Sequence, residues 1–564
     1  MSAAQWEQET DVLVIGSGAG AMTAALVAHD HGARVLVVEK SDLFGGTSAM
    51  SGGAIWIPDN HLMRARGEQD SPEAALAYMK EMTRGLVPEE KLLAYITHAP
   101  EMLKYLEDHS DVKYQPAPYP DYFPEKPGGR KGFRTLEPVP LDGWLLGEDF
   151  LKQRPPHVQT LIYGRVAITM AEGRMMLTQA PGAQKLGLKL MAKYWLDLRT
   201  RLQSRKDRRL TLGNALTGRL RLSLKRRRVD LLLQTAFTDL IVQNGRVNGA
   251  VLNHKGGKLR VRARRGVVLA AGGFEHNQKM REQYLPSPTS AGWSGGNRYN
   301  TGDAIRVGLA HGAATGLMEH AWWAPTIPVP GEPTARVLFA ERSLPGLVVV
   351  NSHGQRFSNE AMPYLESAVS YYEAHEKGGG AVPANIIFDS RFRKQYPLGP
   401  LMPGNIQPDR ALPKAVREGL LFKAETISEL AVQMGVDPDG LMATLEEFNR
   451  HARKGEDPAF HRGESYYDQY YGDRQVKPNP CLMPVETPPY YGMKVYPGDI
   501  GTKGGLLTDS KARVLDKTGC PIEGLYAIGN CAASVMGAGY PGAGSTLGPA
   551  MTFGYLAALD LTTN

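Results

Sequence analysis

Two glycine-rich stretches at opposite ends of the chain carry residue types that bind phosphate and act on a ligand beside it. Near the start, "VLVIGSGAGAMTAA" places Gly16, Gly18 and Ala21 in the spacing G-x-G-x-x-A. Near the end, "GYPGAGSTLGPA" contains one tyrosine, Tyr540, among its glycines. Because glycines let backbone N–H groups come close to a ligand, we expect both stretches to contact one cofactor. The tyrosine then faces the compound that this cofactor oxidises.

The first stretch lies in a strand–turn–helix–strand pattern. "DVLVIG" and "RVLVVEK" are apolar runs typical of buried strands, and the helical "AMTAALVAHDHG" between them ends at Gly32. Gly16 permits the turn, Gly18 lets the backbone approach a pyrophosphate, and the small Ala21 lets the helix pack on the strand. Glu39, at the end of the second strand, is placed to accept hydrogen bonds from a ribose. The pattern predicts a βαβ unit that binds a dinucleotide.

Further glycine-rich segments predict the rest of this site. In "LFGGTSAMSGGAIWIP" the hydroxyls among glycines suit phosphate and flavin contacts; the alternative is a surface loop, which the apolar "IWI" disfavours. "VDLLLQTAFTDLIVQNGRVNGAVL" predicts strands joined by an Asn-Gly hairpin turn, and "RGVVLAAGGFEHN" and "GLYAIGNCAASVMG" predict buried strands that end in glycines. Such strand ends converge on one crevice in open α/β sheets. The predicted cofactor-binding residues are Gly16, Ser17, Gly18, Ala19, Gly20, Ala21, Glu39, Lys40, Ser41, Gly45, Gly46, Thr47, Ser48, Ser51, Gly52, Gly53, Ala236, Ala271, Gly272, Gly529, Asn530 and Leu547.

One segment accounts for the net positive charge. Residues 184–228 hold 15 lysines and arginines against two acids, a local charge of +13 that leaves −6 for the rest of a chain whose total is +7. Apolar residues recur there at spacings of three and four, which predicts one stripe on a helix surrounded by cations; they are Leu188, Met191, Trp195, Leu198 and Leu202. Such a helix can lie in an anionic membrane surface or pack its stripe on the host domain, and both alternatives stay open. Nucleic acid is disfavoured, because the segment has no recognisable binding motif and the rest of the chain is acidic.

The overall composition is that of a soluble globular protein, with 564 residues, 42% of them apolar and 22% charged. No apolar run approaches the roughly 18 residues of a spanning helix, and "MSAAQWEQET" does not resemble a signal peptide. Cys481, Cys520 and Cys531 form no C-x-x-C pair, which argues against a disulfide framework, a zinc site or an iron–sulfur site. We therefore expect a cytoplasmic protein, attached peripherally to the inner face of the cytoplasmic membrane if the basic segment binds lipid.

The order of these motifs resembles the flavoprotein family of fumarate reductases and succinate dehydrogenases. The matching segments are the N-terminal fingerprint, "FGGTSAMSGG", "GVVLAAGGF", "GTKGGLLTD" and "GLYAIGN". Four others, "YPDYFPE", "AWWAP", "RFSNEAMPY" and "YPGAGSTLGPA", are similar to the 3-ketosteroid Δ1-dehydrogenases specifically, and the resemblance covers nearly the whole chain. It implies non-covalent FAD and the insertion of a C1–C2 double bond into ring A of a 3-ketosteroid in steroid degradation.

The expected fold class is α/β, with a Rossmann-like FAD-binding domain and an inserted α+β catalytic domain. We place the FAD-binding domain at 1–322 and 496–564, and the catalytic domain at 323–495, which is rich in Pro and Tyr and lacks a glycine fingerprint. "AETISELAVQMGVDPDGLMATLEEFNRHARKG" predicts helices within the latter. The basic insertion, about 141–228, matches longer family members that resemble membrane-associated enzymes.

Removal of two hydrogens beside a ketone needs a polarised ketone oxygen, a base for the α-proton and a hydride acceptor, which flavin N5 supplies. The hydroxyl of Tyr540 and the backbone N–H of Gly544 suit the oxyanion site, and the resemblance assigns them this role. Tyr364 in "NEAMPY" matches the family's base. Because a phenol with a pKa near 10 is a weak base at pH 7, a second phenol should share the proton; Tyr122 matches this helper, although the nearby Tyr119 leaves the register open.

Several alternatives stay open. Trp322 and Trp323 either wall a flat sterol site or pack in the core. Within the family, the alternatives are a ketosteroid dehydrogenase acting at C4–C5 and a fumarate-type reductase, and outside it a membrane-docked flavin-binding scaffold without turnover. A fumarate reductase should clamp two carboxylates with Arg and His; the available residues, which match no such motif, are Arg342, Arg356, His353 and His320. The expected partners are a 3-ketosteroid and a quinone or similar electron acceptor.

Overall fold

The computed structural model describes residues 6–563 of the chain and opens with the predicted βαβ unit. This unit consists of β1 (Gln8–Ile15), α1 (Ala19–Asp30) and β2 (Val35–Val38). The last four residues of β1 and all of β2 are buried, as in parallel strands that are covered on both faces. The chain continues with α2 (Gly46–Met50), β3 (Ile55–Trp56), α3 (His61–Arg64), α4 (Pro72–Thr83), α5 (Glu89–His109), β4 (Tyr114–Pro116) and β5 (Thr135–Pro138).

The basic insertion folds into short strands and helices beside this unit. Its elements are β6 (Leu141–Asp142), α6 (Asp149–Lys152), β7 (Leu161–Ile162), β8 (Val166–Ala167), α7 (Met170–Leu177), α8 (Ala183–Leu196), α9 (Leu198–Gln203), β9 (Arg209–Leu210) and α10 (Leu212–Arg226). The last of these, α10, is largely buried and packs on α1 and α2. A Cβ added to Gly213 would lie 1.9 Å from the carbonyl oxygen of Ser48, so the backbones are in direct contact. The end of the insertion is therefore part of the core.

The apolar stripe predicted on one continuous helix is divided between α8 and α9, so that prediction was wrong. The break occurs because Asp197 leaves the helical conformation, with φ −77° and ψ 65°. Its carboxylate then accepts a hydrogen bond from the N–H of Thr200 at 3.3 Å, which caps the start of α9.

Four of the five side chains of the stripe are not covered by the host domain. Met191 is half-buried, and the other four are more than half exposed: the fractions are 72% for Leu188, 51% for Trp195, 67% for Leu198 and 89% for Leu202. The helices are anchored by different residues, since Leu190 and Tyr194 are the buried positions of α8. The alternative in which the stripe packs on the protein does not agree with this exposure.

The predicted Asn-Gly hairpin follows the insertion and is confirmed. Strands β11 and β12 pair antiparallel with Gln243 opposite Arg246, and Asn244 and Gly245 between them both have positive φ, 54° and 78°. The elements of this region are β10 (Asp230–Leu232), β11 (Thr235–Gln243), β12 (Arg246–His254), β13 (Gly257–Leu269), α11 (Gln278–Tyr284), α12 (Asp303–Ala310) and β14 (Thr315–Gly316).

The middle of the chain builds a second, antiparallel sheet. Its elements are β15 (Ala321–Ile327), β16 (Arg336–Val337), β17 (Leu347–Val350), α13 (Tyr364–Ala374), β18 (Ala384–Phe388), α14 (Ser390–Gln395), α15 (Lys414–Gly419), β19 (Phe422–Ala424), α16 (Ile427–Met434), α17 (Pro438–Ala452), α18 (Tyr466–Tyr471) and β20 (Tyr490–Thr502). The strand order is β16-β15-β20-β18-β17, with β19 beside β20. The predicted domain boundaries at 322/323 and 495/496 stay predictions; they fall inside β15 and β20, which pair with each other.

The last elements complete an eight-stranded main sheet. They are β21 (Gly505–Leu506), β22 (Arg513–Leu515), β23 (Pro521–Ala527) and α19 (Leu547–Thr563). The order is β10-β2-β1-β13-β12-β11, with β23 paired to β13 and β22 to β23. The parallel strands β1, β2, β10, β13 and β23 end in register, because Ile15 lies opposite Val38 and Leu269, and Leu269 lies opposite Ala527. Their carboxyl ends form one edge, as predicted.

The C-terminal helix α19 packs directly on α1. A Cβ added to Gly20 would lie 2.6 Å from the carbonyl oxygen of Ala550, and one added to Gly554 would lie 2.6 Å from that of Gly20. Only glycine allows the two helix backbones to approach so closely. This packing brings the end of the chain to the first βαβ unit.

Candidate active site

A cavity of about 1600 Å³ lies at the carboxyl ends of the parallel strands. Its lining includes the turn after β1, the segment around α2, the residues after β13 and β23, and the start of α19. The first residue of α13, parts of α7 and α8, residues 157–164 and several residues between 397 and 407 also line it. Both glycine-rich stretches therefore line one cavity, as the sequence predicts.

The turn after β1 depends on the conformation of Gly16 and on a hydrogen bond between Ser17 and Glu39. Gly16 has φ 113°, and a Cβ there would lie 2.3 Å from the carbonyl oxygen of Ala270, so no other residue fits. The hydroxyl of Ser17 donates to Oε2 of Glu39 at 2.6 Å and accepts from the N–H of Gly45 at 2.9 Å. The acid predicted to bind ribose thus lies at the end of β2, where it also fixes the turn.

The start of α1 fits the pyrophosphate of a dinucleotide. The N-cap residue of α1 is Gly18, which has no side chain to cap the helix. The N–H of Ala19, the first residue of the helix, donates to the hydroxyl of Ser48 at 3.0 Å. A Cβ added to Gly46 would meet no atom nearer than 3.8 Å, so its backbone faces open space beside Gly18. Because a helix N-terminus attracts anions, the residues present fit FAD, the dinucleotide that the sequence predicts.

Most of the predicted cofactor-binding residues line the cavity. Those that do are Gly16, Ser17, Gly18, Ala19, Gly20, Ala21, Glu39, Lys40, Gly46, Thr47, Ser48, Ser51, Gly52, Gly53, Ala271, Gly272, Gly529, Asn530 and Leu547. Ser41, Gly45 and Ala236 are not part of the lining. The hydroxyl of Ser41 accepts from Arg154 at 2.6 Å, and Ala236 points away because its strand neighbours Thr235 and Phe237 line the cavity.

Three of the predicted catalytic residues meet as a cluster of phenols. The ring centroids are 5.5 Å apart for Tyr122 and Tyr364, 5.0 Å for Tyr122 and Tyr540, and 5.3 Å for Tyr364 and Tyr540. All three side chains are buried, and all three line the cavity. They come from the segment before β5, the start of α13 and the turn before α19, so the cluster exists only in the folded chain.

Burial keeps these phenols neutral. It raises the pKa of Tyr540 to about 12, and it raises the pKa of Tyr364 and of Tyr122 well above 10. A hydrogen bond from Tyr122 lowers the pKa of Tyr364, whereas its hydrogen bond with Tyr540 raises it. Tyr540 is therefore a hydrogen-bond donor at neutral pH, and Tyr364 needs help to act as a base.

Gly544 lines the cavity together with Tyr540. It has φ 101°, and a Cβ there would lie 2.5 Å from the backbone of Ile55. Its N–H donates no hydrogen bond to another residue of the described part of the chain. An unpaired N–H beside a neutral phenol is the donor pair that an oxyanion site requires.

The structure distinguishes the two tyrosines between which the sequence leaves the register open. Tyr122 lies in the cluster, whereas the ring of Tyr119 packs edge-on against Tyr470 at 5.7 Å. The N–H of Tyr122 donates to the carbonyl oxygen of Pro541 at 2.9 Å, which ties its loop to the residue after Tyr540. Because this bond joins two backbone groups, no residue type in the sequence indicates it.

Two aromatic neighbours of the cluster were missed. Tyr467 packs on Tyr122 at 5.3 Å, and Phe339 packs on Tyr364 at 5.1 Å; both line the cavity. The tyrosine-rich run "YYDQYY" around Tyr467 could have indicated a further aromatic residue of the site, whereas no motif surrounds Phe339.

The residues considered for a sterol wall or for a dicarboxylate clamp do not line the cavity. Neither Trp322 nor Trp323 is part of the cavity lining, and Trp322 packs edge-on behind Tyr540 at 4.8 Å. Arg342 donates to backbone carbonyls, and Arg356 pairs with carboxylates away from the cavity. His353 and His320 are likewise outside the lining. These four side chains form no clamp for a dicarboxylate.

Known proteins share both the sequence and the fold. The family described as "FAD binding domain" matches residues 11–547. The chain is 44% identical to a 3-oxosteroid 1-dehydrogenase of Mycobacterium tuberculosis, over 98% of each chain. It is 42% identical to a 3-oxosteroid 1-dehydrogenase of Mycolicibacterium smegmatis, over 98% of this chain and 97% of the other. A 3-ketosteroid Δ1-dehydrogenase from Sterolibacterium denitrificans, solved in complex with 1,4-androstadiene-3,17-dione, matches with a TM-score of 0.96 and 52% identity over 99% of this chain and 100% of that one.

Gly16→Ala is expected to abolish cofactor binding. The new methyl group would overlap the carbonyl oxygen of Ala270 and force a positive φ on a non-glycine residue, at a combined cost above about 2 kcal/mol. Gly32→Ala is the matched control, since Gly32 has φ 83° and open space around its Cβ position, so only the strain of about 1–2 kcal/mol applies. Bound FAD per chain after gel filtration is the measurement. Full FAD content in Gly16→Ala would contradict the assignment of this turn.

Proposed function

The chain belongs to the FAD-binding flavoproteins and, within them, to the 3-ketosteroid Δ1-dehydrogenases, and we propose how its residues carry out that reaction. It is an FAD-dependent enzyme that introduces a double bond between C1 and C2 in ring A of a 3-ketosteroid. The observation that carries the residue roles is the convergence of Tyr122, Tyr364 and Tyr540 on the cavity that holds the dinucleotide fingerprint. When bound, FAD supplies the acceptor for the hydride that leaves C1.

Tyr540 and Gly544 polarise the ketone. The hydroxyl of Tyr540 and the N–H of Gly544 donate to the C3 oxygen, where negative charge develops as the proton leaves C2. Because burial holds the pKa of Tyr540 at about 12, the hydroxyl keeps its proton at physiological pH. A fixed donor in a site without water is worth roughly 10²–10³ in rate.

Tyr364 takes the proton from C2. The phenolate of Tyr364 is the form that accepts this proton. Since burial raises its pKa well above 10, the phenolate is rare at neutral pH and needs a hydrogen-bond donor to stabilise it. Tyr122 is the partner, because its hydrogen bond lowers the pKa of Tyr364 and its ring lies 5.5 Å away. Proton and hydride leave adjacent carbons, so the steroid loses two hydrogens in total.

FAD is held without a covalent bond. Segment 45–53 provides hydroxyls and backbone N–H groups and contains no histidine that could bond to the flavin. Glu39 would bind the ribose, and the start of α1 would hold the pyrophosphate. The proposed electron acceptor is a quinone or a similar compound.

We further propose that the exposed stripe docks the enzyme on the cytoplasmic face of an anionic membrane. No described helix is long and apolar enough to cross a membrane. The stripe on α8 and α9 is surrounded by the cations of the segment with local charge +13, the arrangement of an interfacial helix. Leu188 and Met191 belong both to the stripe and to the lining of the cavity, so a docked stripe lies beside the path of an apolar substrate.

Tyr364→Phe is expected to abolish steroid oxidation while FAD stays bound. Anaerobic addition of androst-4-ene-3,17-dione should bleach the flavin of the wild type, and the variant should lose at least about 10² in the rate of bleaching because the base is gone. Tyr372→Phe is the matched control, since Tyr372 is also buried on α13 but packs on Trp323 outside the cavity. A wild type that stays yellow would refute the function, and near-normal bleaching in Tyr364→Phe would refute the base.

The rate of flavin reduction is expected to rise with pH. The active form of Tyr364 is deprotonated and its pKa is raised above 10, so below that pKa the active fraction increases about tenfold for each pH unit. Rapid mixing with saturating steroid from pH 6 to 9, a range chosen well below the raised pKa, measures this slope. A rate that is constant or falls over the range contradicts proton transfer to a buried phenol.

Replacement of the stripe is expected to release the enzyme from vesicles. The combined variant Leu188→Glu, Trp195→Glu, Leu198→Glu and Leu202→Glu should bind phosphatidylglycerol vesicles at least about tenfold more weakly, because four apolar side chains no longer enter the interface. A matched control places four glutamates at exposed apolar positions elsewhere: Leu86, Leu93, Val432 and Met442. Co-sedimentation is the measurement. Equal loss of binding in both variants would show that net charge alone attracts the protein and would rule out docking through the stripe.

A further inference from the structure

Lys503 is a buried cation directly after β20. Its side chain is inaccessible to solvent, and its three N–H groups all donate to backbone carbonyls. The acceptors are Gly537 at 3.1 Å, Ala538 at 2.9 Å and Gly539 at 2.5 Å. An ammonium has three donors, so this set of consecutive carbonyls satisfies it fully.

These carbonyls belong to the turn immediately before Tyr540. On the other side of the tyrosine, the carbonyl oxygen of Pro541 accepts from the N–H of Tyr122 at 2.9 Å and from the hydroxyl of Tyr78 at 2.8 Å. The backbone on both sides of Tyr540 is therefore held by groups from distant parts of the chain. Among the described residues, Lys503 donates every side-chain hydrogen bond to the carbonyls of residues 537–539.

Lys503 also contacts the ring that supports Tyr540. Its Nζ lies 4.4 Å from the ring centroid of Trp322, within the range of a cation–π interaction. Trp322 in turn packs edge-on against Tyr540 at 4.8 Å and donates its indole N–H to Asn530 at 3.1 Å. Lys503 therefore contacts both the backbone just before Tyr540 and the ring of Trp322, which packs on Tyr540.

The charge of Lys503 has no ion-pair partner among the described residues. Glu366 on α13 attracts it at longer range, and Arg84 at the end of α4 repels it. Burial lowers its pKa to about 7, and it also lowers the pKa of the neighbouring His320. A buried cation without a carboxylate is costly, so the three carbonyls and the indole ring are the groups that stabilise it.

We infer that Lys503 is a positioning residue that sets the hydroxyl of Tyr540 against the ketone oxygen of the substrate. The inference rests on the proposed oxyanion role of Tyr540. Lys503 does not line the cavity, so it acts through the turn of residues 537–539 and through Trp322.

Lys503→Met keeps the length and the apolar stem of the side chain and removes the three donors. We expect FAD to stay bound and the rate of flavin reduction at saturating androst-4-ene-3,17-dione to fall by about 10–100-fold, because a displacement of about 1 Å at a reacting group costs about that much. A double-mutant cycle with Tyr540→Phe tests the route of the effect. If Lys503 acts through Tyr540, Lys503→Met should cause no further loss in the Tyr540→Phe background; multiplicative losses would overturn the inference.

Lys91→Met is the matched control. Lys91 is also buried, donates to Thr508 at 3.1 Å and 2.7 Å, and lies 5.5 Å from the ring of Phe553, but it holds no part of the tyrosine cluster. It should leave the rate of reduction unchanged, and an equal loss in Lys91→Met would overturn the inference.

Lys503→Gln keeps two N–H donors and should show a smaller loss than Lys503→Met. If neither variant at position 503 retains FAD, the residue is needed for folding and the positioning role is overturned. A wild type that steroid does not reduce would instead refute the function itself, so the two failures are distinguishable.

Discussion

The site depends on the close packing of the first and last helices of the chain. The glycines at positions 20 and 554 let the backbones of α1 and α19 come into contact, and α19 starts a few residues after Tyr540. Without this contact the C-terminal glycine-rich turn would have no fixed place relative to the dinucleotide-binding turn after β1. Because the two turns line one cavity, a cofactor held by the first reaches the tyrosine of the second.

The other two phenols are brought to the same place by different means. Tyr122 is tied to the turn by its own backbone N–H, which donates to Pro541. Tyr364 begins α13, and the buried guanidinium of Arg342 donates to the carbonyls of Glu360 and Met362 just before it. Tyr122 and Tyr540 therefore share one backbone hydrogen bond, and Tyr364 has an anchor of its own. Three neutral hydroxyls line a large cavity and suit an uncharged ketone, whereas the four Arg and His side chains considered for a dicarboxylate clamp do not line it.

The sequence allowed prediction of those parts of the molecule that local chemistry determines. The βαβ unit, the Asn-Gly hairpin and the glycines at the strand ends each have a physical cause within a few residues. Motif resemblance added the identities of the tyrosines. It left the register between Tyr119 and Tyr122 open, because the hydrogen bond of Tyr122 to Pro541 joins segments more than 400 residues apart. The break at Asp197 and the role of Lys503 likewise depend on tertiary contacts, which a periodic pattern does not contain.

The phenol cluster positions ring A of the steroid so that Tyr364 takes a proton from C2 and the hydride leaves from C1, and no other pair of carbons reacts. The most direct test is to incubate the holoenzyme with a saturated-ring-A 3-ketosteroid in D₂O without an electron acceptor and to locate the deuterium by NMR. We expect solvent deuterium to enter at C2, where Tyr364 exchanges the proton. Exchange at C4 with none at C2 would contradict it and would place this chain among enzymes that act at C4–C5.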